Sequence, residues 1–229
     1  MANDLLGYDL SGFGLGVETK MLALGDLMTN KVVSELHLNM FQAVPDRYLE
    51  LLACVVATNK SLRRVRLNLS KSMSAAQLVR FCAGFGENTT ITHLDLCFTN
   101  VSGGWAPLFQ ALASNTTVAI LNMNCTGFCA ADMSALLSLL EKNRTIVRLG
   151  LSFNDLGGSD IDTLADWLET RRNTAVLHIE CFGHWEGYRP PKPDSLKRIE
   201  CALAINRAFA YAFASTSASA YAASPAPSI

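Results

Sequence analysis

The apolar positions of this chain fall into a repeating triplet. Asparagines close a series of apolar helical stretches at Asn30, Asn59, Asn88, Asn115, Asn143 and Asn173, at intervals of 29, 29, 27, 28 and 30 residues. Three residues after each asparagine stands Val33, Leu62, Ile91, Val118, Ile146 or Val176. Six after comes Leu36, Val65, Leu94, Leu121, Leu149 or Ile179, and eight after Leu38, Leu67, Leu96, Met123, Leu151 or Cys181. All of these positions are apolar or cysteine. A fixed period of this length marks a solenoid, whose units bury their apolar faces only by stacking on one another.

The pattern within a unit predicts its elements. Two apolar residues spaced by one predict a short strand with one buried face. Before the next asparagine the spacing turns helical, as in Met133, Leu136, Leu137 and Leu140. Ser74-x-x-Gln77 and Ser159-x-x-Asp162 read as capping boxes at helix starts. Asparagine tolerates the left-handed conformation that ends a helix, which accounts for one after each helix. The unit is strand, loop, helix, turn.

The ends depart from the pattern. Leu5, Tyr8 and Leu10 suggest a vestigial strand, followed by a helix from about Glu18 to Met28. After Cys181 an irregular loop carries Trp185 and Tyr188, and a last helix is expected from about Ser195 to Phe209 with Asp194 as N-cap. From Ser215 the chain is rich in alanine, serine and proline and is expected to be disordered. The expected organisation is therefore a degenerate N-terminal repeat or cap over 1–30, repeats over 31–182, a loop and capping helix over 183–214, and a tail over 215–229.

The fifth copy, Ile146-x-x-Leu149-x-Leu151-x-x-Asn154, matches the pattern LxxLxLxxN in full. With its period of 27 to 30 residues and an asparagine closing each helix, the chain resembles the ribonuclease-inhibitor-like class of leucine-rich repeats from roughly Lys31 to Phe209. The resemblance implies an α/β horseshoe of about six repeats, with parallel strands inside and helices outside. The loop asparagine of the pattern occurs only as Asn154; Ser70, Thr99 and Thr126 offer weaker versions of its hydrogen bonds, and Phe41 and His184 do not do so in the same way. The class includes the repeat domains of NOD-like receptors, the Ran GTPase-activating protein and tropomodulin. Its members share architecture and not partners.

Charge and cysteine content narrow the partner. Lysine and arginine total 19 against 20 acidic residues, so bulk charge suggests neither nucleic acid nor a membrane surface. The seven cysteines are odd in number and contain no CxxC pair, which points to a reducing compartment. The first residues lack the basic start and continuous apolar core of a secretion signal, and no uninterrupted apolar run is long enough to span a bilayer. A cytoplasmic protein is expected.

Alternation along each strand sends the residues five, seven and nine after each asparagine to the concave face. Candidate protein-binding residues there are Glu35, His37, Arg64, Arg66, His93, Asp95, Asn122, Arg148, His178 and Glu180, with Trp185 of the capping loop as a separate candidate. Arg64 and Arg66 form the clearest basic spot, and arginine is well suited to anchoring a partner carboxylate. The expected function is non-catalytic binding of another protein, with no cofactor. Family analogy offers two alternatives, capping of actin pointed ends and activation of a GTPase.

Several further signals are weaker. Asn68, Asn88, Asn115, Asn124 and Asn143 each begin an Asn-x-Ser/Thr triplet, but three of them are repeat asparagines, so glycosylation is not expected. Cys181-x-x-His184 and His93-x-x-x-Cys97 fall short of a zinc site, which usually needs four ligands with paired spacings. Cys97 beside His93 or His37 is the one nucleophile and base that the concave strip offers, and no P-loop, GxSxG or HExxH motif accompanies it.

Overall fold

The computed structural model describes residues 7–11, 16–40, 45–69, 73–101, 104–170, 175–183 and 193–222, with side chains described as far as Tyr211, Pro193 apart. Strands and helices alternate: β1 (Gly7–Leu10), α1 (Val17–Leu27), β2 (Glu35–Met40), α2 (Asp46–Thr58), β3 (Arg64–Leu69), α3 (Ala75–Glu87), β4 (His93–Asp95), α4 (Ala106–Ala113), β5 (Ile120–Asn122), α5 (Ala130–Lys142), β6 (Arg148–Gly150), α6 (Gly158–Glu169), β7 (His178–Glu180) and α7 (Pro193–Ala222). The strands form one parallel sheet in chain order, β1 to β7. Each helix packs on the next as an outer layer.

The register is set by the apolar triplet. Leu36, Val65, Leu94, Leu121, Leu149 and Ile179 align across successive strands. Every one of the triplet positions is buried between sheet and helices. The vestigial strand is real, since β1 adds to the sheet with Tyr8 beside Leu36 and Leu10 beside Leu38. Leu5 lies outside the described residues.

The asparagines do not work as expected. Asn59, Asn88 and Asn143 follow their helices with φ of -67°, -71° and -79°, which is extended and not left-handed backbone. Their side chains explain their place instead. Asn115 Nδ2 donates to the carbonyls of Phe85 and Asn88, both at 2.9 Å, in the preceding unit. Its Oδ1 accepts from the N–H groups of Thr117 and Val118 at 2.9 and 2.8 Å. Asn59, Asn88 and Asn143 repeat this arrangement. One buried amide thus satisfies carbonyls left over at a helix end and starts the turn into the next strand. Asn206 donates to the Val176 carbonyl in the same way, while Asn173 lies outside the described residues.

The loop asparagine behaves as the pattern requires. Asn154 is buried, accepts from the N–H groups of Thr126 and Phe128, and donates to the carbonyls of Met123 and Leu151. Thr99 takes a reduced version, accepting from Leu69 N–H and donating to the Leu67 carbonyl. Ser70, Phe41 and His184 lie outside the described residues.

Helix ends bring further corrections. The Ser74–Gln77 capping box forms at α3. At α6 the N-cap is Gly157, whose N–H donates to Asp160 at 2.7 Å, so Ser159 falls inside the first turn and Asp162 instead takes the Ser195 hydroxyl. In α5 the buried stripe runs through Met133, Leu136, Leu139 and Leu140, leaving Leu137 only partly covered. Helix α7 starts at Pro193, which places Asp194 in its first turn, and it runs past Phe209 to Ala222. The segment from Ser215 to Ala222, expected to be disordered, continues this helix; alanine has the highest helix propensity and is abundant there. Residues 223–229 lie outside the described residues.

Candidate functional site: the concave sheet face

The sheet register arranges the predicted site residues in two rows. Glu35, Arg64, His93, Ile120, Arg148 and His178 form the first, and His37, Arg66, Asp95, Asn122, Gly150 and Glu180 the second. Parallel pairing holds neighbouring side chains about 4.8 Å apart. All of them but Gly150, His178 and Glu180 line a groove of about 420 Å³ that extends from Glu35 and His37 to Arg148. Trp185 lies outside the described residues.

Most charges in the groove satisfy one another. Arg64 Nη1 donates to Glu35 Oε1 at 2.8 Å, and Arg66 Nε to Asp95 Oδ2 at 2.9 Å. Glu35 also stands 3.8 Å from His37 Nε2. Asp95 Oδ1 accepts from Asn122 Nδ2 at 3.1 Å and from the Cys97 N–H at 3.0 Å. At the far end Glu180 Oε1 is 3.2 Å from His178 Nε2. The basic spot expected at Arg64 and Arg66 is therefore two ion pairs.

Arg148 differs. Its exposed guanidinium has no carboxylate or hydrogen-bond partner among the described residues. In register it lies between Ile120 and His178, and Gly150, next along the concave face, has no side chain to cover it. A Cβ on Gly150 would clash with the side-chain oxygens of Asn122 and Asn124. His93, across the groove, has its pKa lowered by burial first and then by Arg64 and Arg148, with Glu35 opposing. Its charged form is disfavoured beside the Arg148 guanidinium.

A second feature lies along the rim. Ten residues after their asparagines, Phe98, Cys125 and Phe153 adopt left-handed backbone with φ of 63°, 56° and 57°, and Gly183 does so at 67°. At the same offset in the first two copies, Met40 and Leu69 are extended and buried, the last residues of longer strands. The turn in the later copies throws Phe98 and Phe153 outward, 57% and 52% exposed, and Phe182 joins them at 63%. A β-carbon at Gly183 would run into the Phe153 ring, so that glycine serves both close approach and backbone. Left-handed phenylalanine is strained backbone, and such strain gathers at functional surfaces. The concave strip expected from sequence ends at offset nine, so Phe98 and Phe153 are not among its candidates. The recurrence of phenylalanine at offset ten was the available signal.

The remaining candidates separate by burial. The amides of Asn88, Asn115 and Asn143 are buried and occupied within the spine, so these three cannot be glycosylated in the folded chain. Asn124 accepts from the Ser152 N–H at 2.7 Å, and Asn68 Oδ1 is buried with no partner among the described residues. Cys181 fills a core position, and among the described residues no three His, Cys, Asp or Glu side chains gather as a metal site would need. Burial first, then the neighbouring Cys125 thiol and the Asp95 carboxylate, push the Cys97 thiol up to about 11. Among the described residues no helix is long and apolar enough to cross a membrane.

No protein-family model and no curated protein sequence matches the chain. Among solved structures it is similar to leiomodin-1 actin-binding site 2, with a TM-score of 0.62 and 19% identity over 79% of this chain and 99% of that one. An internalin of Listeria monocytogenes matches with a TM-score of 0.25 and 12% identity over 70% of this chain and 65% of that one. The fold is a leucine-rich-repeat solenoid.

Proposed function

We propose that the chain is a non-catalytic protein-binding module whose concave groove takes an acidic segment of a partner protein. The observation that carries this reading is Arg148, an exposed arginine with no partner among the described residues on a face where Arg64 and Arg66 are ion-paired. Arginine is enriched among interface anchors because its planar fork binds a carboxylate through two parallel hydrogen bonds. The rim phenylalanines Phe98, Phe153 and Phe182 would supply apolar contact to the same segment. Rigid parallel pairing keeps these groups in place beforehand, which lowers the entropy lost on docking. The repeat length supports the ribonuclease-inhibitor-like subclass, and the free cysteines support a reducing compartment such as the cytoplasm. No partner other than protein enters this reading, neither nucleic acid nor membrane.

A second reading is actin binding. Its support is the likeness to leiomodin-1 actin-binding site 2, which extends over 99% of that chain.

The test is affinity capture from native extract, comparing wild type with Arg148→Glu and with Arg64→Glu/Arg66→Glu. Loss of a partner from a still-folded Arg148→Glu protein, at least tenfold, supports the groove reading. Equal capture by wild type and Arg148→Glu overturns it. Co-sedimentation with purified actin filaments decides the second reading directly.

A further inference from the structure

We propose that Cys97 and Cys125 are a reversible oxidation site, closing to a disulfide across the rim of the groove when a hydroperoxide reaches them. The two residues belong to consecutive copies. Leu96 N–H donates to the Asn122 carbonyl and Phe98 N–H to the Asn124 carbonyl, which sets Cys97 level with Asn124 and one residue from Cys125. Strict alternation would then send the two side chains to opposite faces of the sheet. The left-handed backbone at Cys125, φ 56°, breaks that alternation. As a result the Cys125 thiol lies close enough to Cys97 to push its thiol up.

The spacing suits a bridge. Neighbouring strands about 4.8 Å apart, with a shift of one residue, put the two Cα atoms about 6 Å apart, inside the usual disulfide range of roughly 4.4–6.8 Å. Both residues are half-buried, so a small peroxide reaches them. The other thiols are placed differently. Cys82 and Cys181 are in the core, Cys54 and Cys201 are exposed on helices, and Cys129 points its thiol at Asp132.

The chemistry balances with the hydroperoxide as the sole oxidant. The Cys125 thiolate attacks the peroxide oxygen, the O–O bond breaks, and water or an alcohol leaves, giving a sulfenic acid. The Cys97 sulfur then attacks the sulfenic sulfur; the S–S bond forms, the S–O bond breaks, and hydroxide departs with the Cys97 proton as water. Burial keeps the Cys97 thiol protonated, which leaves it the second, closing role. Reduction by a thiol reverses the bridge.

The experiment uses the full chain carrying Cys54→Ser and Cys201→Ser, which removes the exposed thiols. The protein is treated with equimolar hydrogen peroxide, alkylated, digested with pepsin and read by mass spectrometry. Pepsin is needed because no lysine or arginine lies between Arg80 and Lys142. The expected result is a Cys97–Cys125 linked peptide pair that dithiothreitol separates, with both thiols lost together. Adding Cys97→Ser should abolish the link. A bridge from Cys125 to Cys129, a sulfinic Cys125 beside a free Cys97, or two fully alkylatable thiols after treatment would each overturn the proposal.

Discussion

Arg66 and Asp95 face each other across β3 and β4, with the arginine Nε 2.9 Å from Asp95 Oδ2. The arginine side chain is 60% exposed and the carboxylate 23%. Asp95 holds Asn122 and the Cys97 N–H as well, so it is a hub and Arg66 only one of its partners. An exposed ion pair contributes about 1 kcal/mol or less, whereas stranding a partly buried donor costs about 1–3 kcal/mol. Arg66→Ala should therefore lower stability by less than about 1 kcal/mol and Asp95→Ala by about 1–3 kcal/mol. Urea unfolding of both variants checks the order, and a larger loss from Arg66→Ala would refute it.

Asn115→Ala removes a buried amide with two donated and two accepted backbone hydrogen bonds. Each stranded buried group costs about 1–3 kcal/mol, so the variant should lose about 3 kcal/mol or more. Asn124→Ala, which strands only the Ser152 N–H, should lose about 1 kcal/mol. Denaturation midpoints at equal slopes measure both.

Two helical glycines should respond with opposite signs. A Cβ at Gly84 in α3 would collide with the backbone carbonyl of Ala53 in α2, while one at Gly25 in α1 meets nothing within 4 Å. Gly25→Ala should stabilise by about 0.5–1 kcal/mol through helix propensity. Gly84→Ala should destabilise by about 1–3 kcal/mol, because the two helices must separate to admit the methyl group. Paired thermal melts decide the signs.

His93 gives stability a pH dependence. Burial and two nearby arginines lower its pKa in the fold from 6.5. The unfolded chain then binds the proton more readily than the folded one. The contribution of this group is full above pH 6.5 and is lost as pH falls through the folded pKa. His93→Asn should flatten the slope of unfolding free energy against pH below 6.5, leaving the slope above it unchanged. Identical slopes for both proteins would contradict this account.

The fold was legible because burial at three fixed offsets leaves no freedom over which residues face inward. The concave rows followed from the same offsets. The ion pairs were present in that arrangement too, since Glu35 and Arg64 share offset five while Arg66 and Asp95 share offset seven. Reading the rows across strands as well as along them would have matched the charges and isolated Arg148. The rim was harder. Met40 and Phe98 occupy one offset with opposite fates, extended and buried against left-handed and exposed, and residue type alone does not separate them. The asparagines were located correctly and explained wrongly. Helix-ending asparagine suggests backbone tolerance, yet its amide is used to reach the preceding unit, a contact that appears only once units are stacked.

The asparagine spine also has a direction in time. Asn59 reaches back to Leu27 and Asn30, Asn88 to Val56 and Asn59, and Asn143 to Leu112 and Asn115, always toward chain that was synthesised earlier. The separations are only 27 to 32 residues. A ribosome emitting this chain from its N-terminus never presents one of these amides before its acceptors exist. Each unit can dock on a finished predecessor as it emerges, so contacts stay local and little apolar surface waits uncovered.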